Sequence, residues 1–236
     1  MKAVLVGAGD RGARAYAPYA KNHPHELEIV AVAEKDEARR DIFAKEHGLS
    51  ASQCFATWEE MFEQNIEADV AIICTLDRQH HDPTVKAVEK GYHVLLEKPM
   101  SPDPAECISM TKAAKEHEKL LTICHVLRYT PFWQQIKEII VRGDIGEIVS
   151  IQLNENVEVM HMSHSFVRGN WNNSDESSPM ILQKSCHDMD ILMYLMDQKC
   201  KYVSSFGSLM HFKEENAPEN GPERCLDGCP IENECP

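Results

Sequence analysis

Gly7-Ala8-Gly9-Asp10-Arg11-Gly12 sets three glycines at Gly-x-Gly-x-x-Gly spacing. Glycines in that pattern allow a tight turn, close approach of the backbone to a pyrophosphate, and close packing of a helix on a strand. The N-terminus of the following helix offers unpaired N–H groups and a positive dipole end to phosphate oxygens. Glu34 stands 22 residues beyond Gly12, at the end of a second apolar run, where an acid can accept hydrogen bonds from ribose hydroxyls. A glycine turn alone serves many ordinary loops. With a strand before it, a helix after it and an acid at that distance, it points to a bound dinucleotide. The Glu34 carboxylate would repel a 2′-phosphate and so favours NAD. Lys35, Arg39 and Arg40 could neutralise such a phosphate, which keeps NADP possible, although a solvated helix face is the commoner use of such charges.

Glu97-Lys98-Pro99 is the second candidate, directly after the run Tyr92–Leu96. In open α/β folds, ligands bind at the carboxyl ends of the strands. A lysine there can polarise or protonate an oxygen, and burial near a cofactor would lower its pKa. By position alone, a surface lysine after a strand is the stronger reading.

Strands and helices alternate through the first 125 residues. Strands are expected at Lys2–Val6, Leu27–Ala33, Val70–Thr75, Tyr92–Leu96 and Leu120–Cys124. The continuous apolar run Val70–Thr75 suits a strand buried on both faces. Helices are expected over Arg11–Asn22, Asp36–His47 (closed by Gly48), Thr57–Gln64, Pro83–Lys90, and from Asp103 to Glu118 or Lys119. Thr57-x-x-Glu60 has capping-box spacing, and Asp103-Pro104 sets a cap before a proline at the first helical position. Such alternation requires crossovers, hence a mostly parallel sheet with helices on both faces: an α/β, doubly wound dinucleotide-binding domain over residues 1–125. Beyond it the pattern changes. A helix from Phe132 to Gly143, a one-sided antiparallel strand over Glu147–Val159, a loop over Gly169–Ser178, a helix over Ile181–Met196 and a strand over Tyr202–Phe212 are expected within a second domain, 126–236.

The composition, 43% hydrophobic and 26% charged, is that of a soluble globular chain, and 236 residues suffice for a core without staples. A net charge of −14 with no basic run disfavours nucleic acid and anionic membrane surfaces. No apolar stretch approaches the roughly 18–20 residues of a membrane span, and the run before Asp10 is too short for a secretory signal. Nine scattered cysteines fit a reducing compartment, so a cytoplasmic protein is expected.

The chain resembles the glucose–fructose oxidoreductase, inositol dehydrogenase and rhizopine-catabolism family (Gfo/Idh/MocA). The resemblance runs through Val4–Gly9, Ala31–Glu34, Asp69–Thr75 with His80, Gly91-Tyr92-His93-Val94-Leu95-Leu96-Glu97-Lys98-Pro99, Arg128-Tyr129, Gly143–Gly146 and His187-Asp188. It implies a Rossmann domain followed by an α/β domain with a large, open, largely antiparallel sheet that covers the substrate and often mediates oligomerisation. It further implies an NAD(P)-dependent enzyme acting on a hydroxyl of a small molecule such as a sugar or polyol, and a homo-oligomer. Two relatives' roles are the rivals: a glycosidase using transient oxidation and elimination, and a non-catalytic NAD-binding sensor. Carried over residue by residue, Lys98 contacts nicotinamide ribose and substrate, and His187 exchanges the hydroxyl proton. Thr75, His80 and Glu97 join Gly7, Gly9, Asp10, Arg11, Gly12 and Glu34 on the cofactor side.

One departure from the family pattern concerns proton transfer. The aspartate usual four residues before the histidine is Gln183 here, with Lys184 beside it. An amide is neither acid nor base. Lys184 lies one helical turn before His187 and is therefore a candidate catalytic residue, with anion binding or simple solvation as alternatives. Cys225-x3-Cys229-x5-Cys235 could supply three thiolates to zinc or an iron–sulfur cluster, completed by His211 or Cys200. The spacing matches no standard finger, and no metal is assigned. Family members run on for a hundred residues or more beyond the last motif, so the expectation is a fragment or a reduced substrate domain with open, self-pairing strand edges.

Overall fold

The computed structural model describes residues 1–224 and 226–235. Six strands form one all-parallel sheet: β1 (Lys2–Val6), β2 (Glu28–Ala33), β3 (Cys54–Phe55), β4 (Val70–Ile73), β5 (His93–Leu96) and β6 (Leu121–Ile123), in the order β3-β2-β1-β4-β5-β6. The connecting helices are α1 (Ala17–Asn22), preceded by a π-helical turn at Asp10–Tyr16, then α2 (Glu37–His47), α3 (Trp58–Glu63), α4 (His81–Glu89) and α5 (Pro104–Glu116). Strand order reverses between β1 and β4. That reversal opens the crevice in which doubly wound sheets bind ligands, beyond the carboxyl ends of the strands.

The pleat of β1 divides the core in two. Val4 and Val6 pack on one face with Met61, Phe62, Val88 and Met110, while Ala3 and Leu5 pack on the other with Ala17, Ile29 and Phe43. Local signals set the helix ends. Asp36 accepts from the Arg39 N–H, Thr57 from Glu60 and Asp103 from Ala105, and Gly48 closes α2 in the left-handed region at φ 67°.

Three further helices follow: α6 (Pro131–Arg142), α7 (Val159–His161), continued by a π-helical turn at Met162–Val167, and α8 (Met180–Met196). The strands expected over Glu147–Val159 and Tyr202–Phe212 are not formed, and no second sheet is present among the described residues. Their side chains favour strands, but a strand exists only against a hydrogen-bonded neighbour. Neither segment has one, and Val149, Tyr202 and Phe206 lie almost fully exposed. β3 went unanticipated because two residues carry no period. Among the described residues, no helix is long and apolar enough to cross a membrane, and no group of three His, Cys, Asp or Glu side chains is arranged to hold a metal. Cys225 lies outside the described residues.

Candidate functional site

The glycine turn between β1 and the first helical turn is fixed by close contacts. Gly7 has φ 89°, and a Cβ there would lie 2.8 Å from the Cys74 carbonyl oxygen. A Cβ on Gly12 would lie 2.1 Å from the Gly7 carbonyl oxygen. Gly9 differs, with nothing within 4 Å of its Cβ position, so open space borders the turn there. Glu34 is buried beside it. Its Oε2 accepts from the Ala8 N–H at 2.7 Å and its Oε1 from the Asp36 N–H at 3.0 Å. A carboxylate offers about four acceptor positions, so capacity remains for hydroxyls. The open face at Gly9 and the buried acid fit a dinucleotide with free ribose hydroxyls. Arg40 donates to the Glu34 main-chain oxygen at 2.6 Å, and Arg39 lies 3.7 Å from Asp36. Two of the three cations that could meet a 2′-phosphate are thus engaged with the protein. Asp10 pairs at 3.7 Å with Arg14 on the exposed side of the turn.

The segment after β5 lies at the same edge. Glu97 is buried, with Oε1 accepting from the Tyr16 hydroxyl at 2.6 Å and Oε2 from the Lys98 N–H at 2.7 Å. The Arg11 Nε stands 3.9 Å from Oε1. Glu97 therefore ties the glycine-turn helix to the lysine loop. Thr75 donates from Oγ1 to the Gln79 carbonyl at 3.0 Å, folding the chain after β4. His80 requires a correction. It was expected to face the cofactor, but it is wholly buried, with Nδ1 3.0 Å from the Pro99 oxygen and Nε2 3.1 Å from the Thr75 oxygen. One ring N–H donates to one of these carbonyls while the ring packs against the other, so the wholly buried His80 braces the β4 and β5 loops against each other.

Lys98 reaches α8. Its Nζ donates to the Gln183 main-chain oxygen at 3.0 Å and to the Gln183 side-chain oxygen. The Gln183 amide nitrogen donates in turn to both oxygens of Asp77, at 3.3 and 3.2 Å. Asp77, buried at 3% exposure, also accepts from Trp171 Nε1 at 2.9 Å and from the Ser178 hydroxyl. His187, one turn along α8, packs edge-on against His125 with ring centroids 5.9 Å apart. His125 lies 3.1 Å from Asp190, which Arg128 clamps through two hydrogen bonds of 2.6 and 2.5 Å. Burial first, then the Lys98 and His125 charges, push the His187 pKa down to about 4, so the ring is neutral at pH 7. Lys184 points elsewhere, with its Nζ 3.0 Å from His161 Nε2 and over the Phe166 ring at 5.7 Å. Burial and then Lys98 lower its pKa.

The structure thus brings Arg11, Glu97, Lys98 and Gln183 together at one sheet edge, with His187 one turn further along α8 and Lys184 turned toward His161. Asp77, Trp171, Ser178, His125 and His161 were not singled out from the sequence. Asp77 meets its partners across 94, 101 and 106 residues, and no local spacing announces such contacts.

Residues 1–125 match the family model described as "Oxidoreductase family, NAD-binding Rossmann fold", and residues 137–229 match that of its "C-terminal alpha/beta domain". D-glucoside 3-dehydrogenase of Escherichia coli is 27% identical over 150 residues, which are 63% of this chain and 41% of that protein. The oxidoreductase YteT of Bacillus subtilis is 27% identical over 184 residues, 75% of this chain and 42% of that protein. The chain therefore spans about two fifths of the length of these curated relatives. Two solved structures share the fold. Myo-inositol 2-dehydrogenase from Lactobacillus plantarum has a TM-score of 0.72 at 22% identity, covering 84% of this chain and 57% of that one. The WlbA dehydrogenase from Chromobacterium violaceum, in complex with NADH and UDP-GlcNAcA, has a TM-score of 0.70 at 23% identity, covering 83% and 55%. On the strength of the matched Rossmann domain, more than half its length, the chain belongs to the Gfo/Idh/MocA oxidoreductases.

Proposed function

We propose an NAD-dependent oxidoreductase that acts at a hydroxyl carbon of a sugar, polyol or related small molecule. The observation carrying this reading is that Lys98 and a neutral His187 stand at the sheet edge that also carries the glycine turn and the buried Glu34 carboxylate. The Gly7–Gly12 backbone would take the pyrophosphate and Glu34 the adenosine ribose. When bound, the nicotinamide supplies the hydride acceptor or donor. A neutral His187 takes the proton of a substrate hydroxyl, and the Lys98 ammonium steadies the oxygen as its charge grows. NAD is favoured over NADP because Glu34 repels a 2′-phosphate and Arg40 is engaged. The reading carries with it a domain division near residue 125, a cytoplasmic location and a homo-oligomer. The relatives named for a glucoside and for myo-inositol support a sugar or polyol substrate.

A second reading rests on Gln183. With an amide where the family has a carboxylate, a glycosidase that oxidises, eliminates and reduces back within one cycle is the rival. Product release without net NADH would decide for it.

Fluorescence titration with NADH and NADPH, then turnover on a panel of sugars and polyols, tests the proposal. Lys98→Met and His187→Ala should each lower turnover about 10²–10⁴-fold while changing NADH affinity far less. Folded protein that binds neither nucleotide would end the cofactor assignment. Full activity in His187→Ala would end that of the base.

A further inference from the structure

His125 and His187 meet at the carboxyl edge of the sheet from two different elements. His125 follows β6 closely. The Cys124 N–H donates to the Leu96 carbonyl at 2.9 Å, which sets the end of β6 beside the Glu97–Lys98 segment. His187 comes from α8 and packs edge-on against His125, with ring centroids 5.9 Å apart. The two rings have different neighbours. Asp190, a buried carboxylate, places Oδ1 3.1 Å from His125 Nδ1, and Arg128 fixes that carboxylate through two hydrogen bonds. A bare ring nitrogen and a carboxylate oxygen at 3.1 Å would repel, so Nδ1 of the neutral His125 ring carries the proton and Nε2 is left to accept one. His187 has no carboxylate within 4.0 Å among the described residues, and its Nδ1 is enclosed without a hydrogen-bond partner. Burial disfavours charge on both rings. Beyond burial, Asp190 and Glu97 favour a charged His125 against Arg128 and Lys98, whereas Lys98, His125 and Arg11 oppose a charged His187 and only Asp190 favours it.

We infer that His125 is a further acid–base residue of this site, the group on which the proton taken from the substrate comes to rest. This rests on the reading of His187 as the group that meets the hydroxyl, and deepens it. The hydroxyl O–H bond breaks toward His187, and the bonding pair stays on oxygen to become the carbonyl as the hydride goes to the nicotinamide. The His187 imidazolium then gives up a proton, His125 Nε2 accepts it directly or through one water, and His125 releases it to solvent. An imidazolium at His125 stands over the Asp190 carboxylate, while one at His187 has no such partner. Asp190 is thus a positioning residue: it fixes the His125 tautomer and balances the charge that forms.

The test is a pH titration of the histidine rings in the full chain by ring-specific 15N NMR, which needs no substrate. At about pH 8, above the usual histidine range, His125 should show a protonated Nδ1 and a bare Nε2. As pH falls, His125 should take up its second proton before His187 does. His125→Asn should raise the His187 midpoint, because the His125 charge acts against that of His187, and Asp190→Asn should lower the His125 midpoint. In NAD-linked turnover on the sugar and polyol panel, His125→Asn should lower kcat about 10²-fold or more while leaving KM and NADH affinity little changed. His187 protonating first, midpoints that ignore the neighbouring substitution, or wild-type turnover in His125→Asn would each overturn the inference. The order of protonation in the wild type decides even where a variant fails to fold. A chain that binds NADH but shows uncoupled rings loses this inference alone. Coupled rings in a chain that binds neither NADH nor NADPH would end the cofactor assignment instead.

Discussion

Gln183 satisfies both neighbours in one orientation only. With its amide nitrogen toward Asp77 and its oxygen toward Lys98, the dipole runs from carboxylate to ammonium; flipped, it would set oxygen against oxygen and N–H against N–H. A carboxylate at position 183 would lie against Asp77 and be disfavoured by like charge. The amide therefore links Asp77 to Lys98 without titrating, which leaves His187 as the neutral titratable ring one turn further along α8. Its pKa near 4 makes a pH prediction with a definite sign. An unfolded histidine titrates near 6.5. As pH falls through 6.5 the unfolded chain gains a proton that the folded chain refuses until about pH 4. The stability associated with neutral His187 is thus fully present above 6.5 and is lost between about 6.5 and 4. A ring-proton NMR titration should place His187 near 4 in the wild type. Lys98→Met should raise it, because the Lys98 charge is the second cause after burial, yet keep it below the unfolded value. Titration of wild-type His187 near 6.5 would refute the assignment.

The glycine turn separates two demands on one element. Gly12 serves packing, since a methyl group would meet the Gly7 carbonyl oxygen, a backbone atom that cannot rotate away. Gly12→Ala should destabilise the chain by about 1–3 kcal/mol or more, read by urea denaturation. Gly9, with φ −72° and ψ −164°, already has a backbone that alanine adopts, and its Cβ would enter empty space. Gly9→Ala should leave the urea midpoint unchanged but weaken NADH binding about tenfold or more, because the methyl group occupies the approach of the pyrophosphate. Equal loss of stability in both variants would show that the turn is only structural. The turn was legible in the sequence because its cause is local, as were the caps at Thr57 and Asp103, the Gly48 stop of α2 and the doubly buried run of β4. The pairing of Gln183 with Asp77 was not, because it depends on α8 docking across the sheet edge. Glu147–Val159 and Tyr202–Phe212 misled for a related reason: their side chains report strand preference, but the neighbour that makes a strand is not encoded within the segment.

At the scale of the molecule, order is concentrated in the sheet. Among the described buried apolar residues, only Phe166, Ile191 and Leu195 lie beyond Cys124, and they belong to the segments that brace α8 at the site. Numbers 147–157 and 201–210 have neither ladder hydrogen bonds nor helical ones, and Val149, Tyr202 and Phe206 are 96%, 94% and 97% exposed. Local opening free energy follows burial and backbone hydrogen bonding, so the chain should divide into a protected body and two unprotected stretches. Hydrogen–deuterium exchange read by mass spectrometry should find Lys2–Val6, Val70–Ile73 and His93–Leu96 slow to exchange, with α8 intermediate. The two stretches should exchange at the earliest time measured. Added NADH should slow exchange around Gly7–Gly12 and at Glu97–Lys98 while leaving 201–210 unaffected, because the cofactor edge and that stretch share no hydrogen bonds among the described residues. Protection of 147–157 or 201–210 comparable to that of β5 would mean that these segments pair in solution, and the single-sheet description would have to be given up.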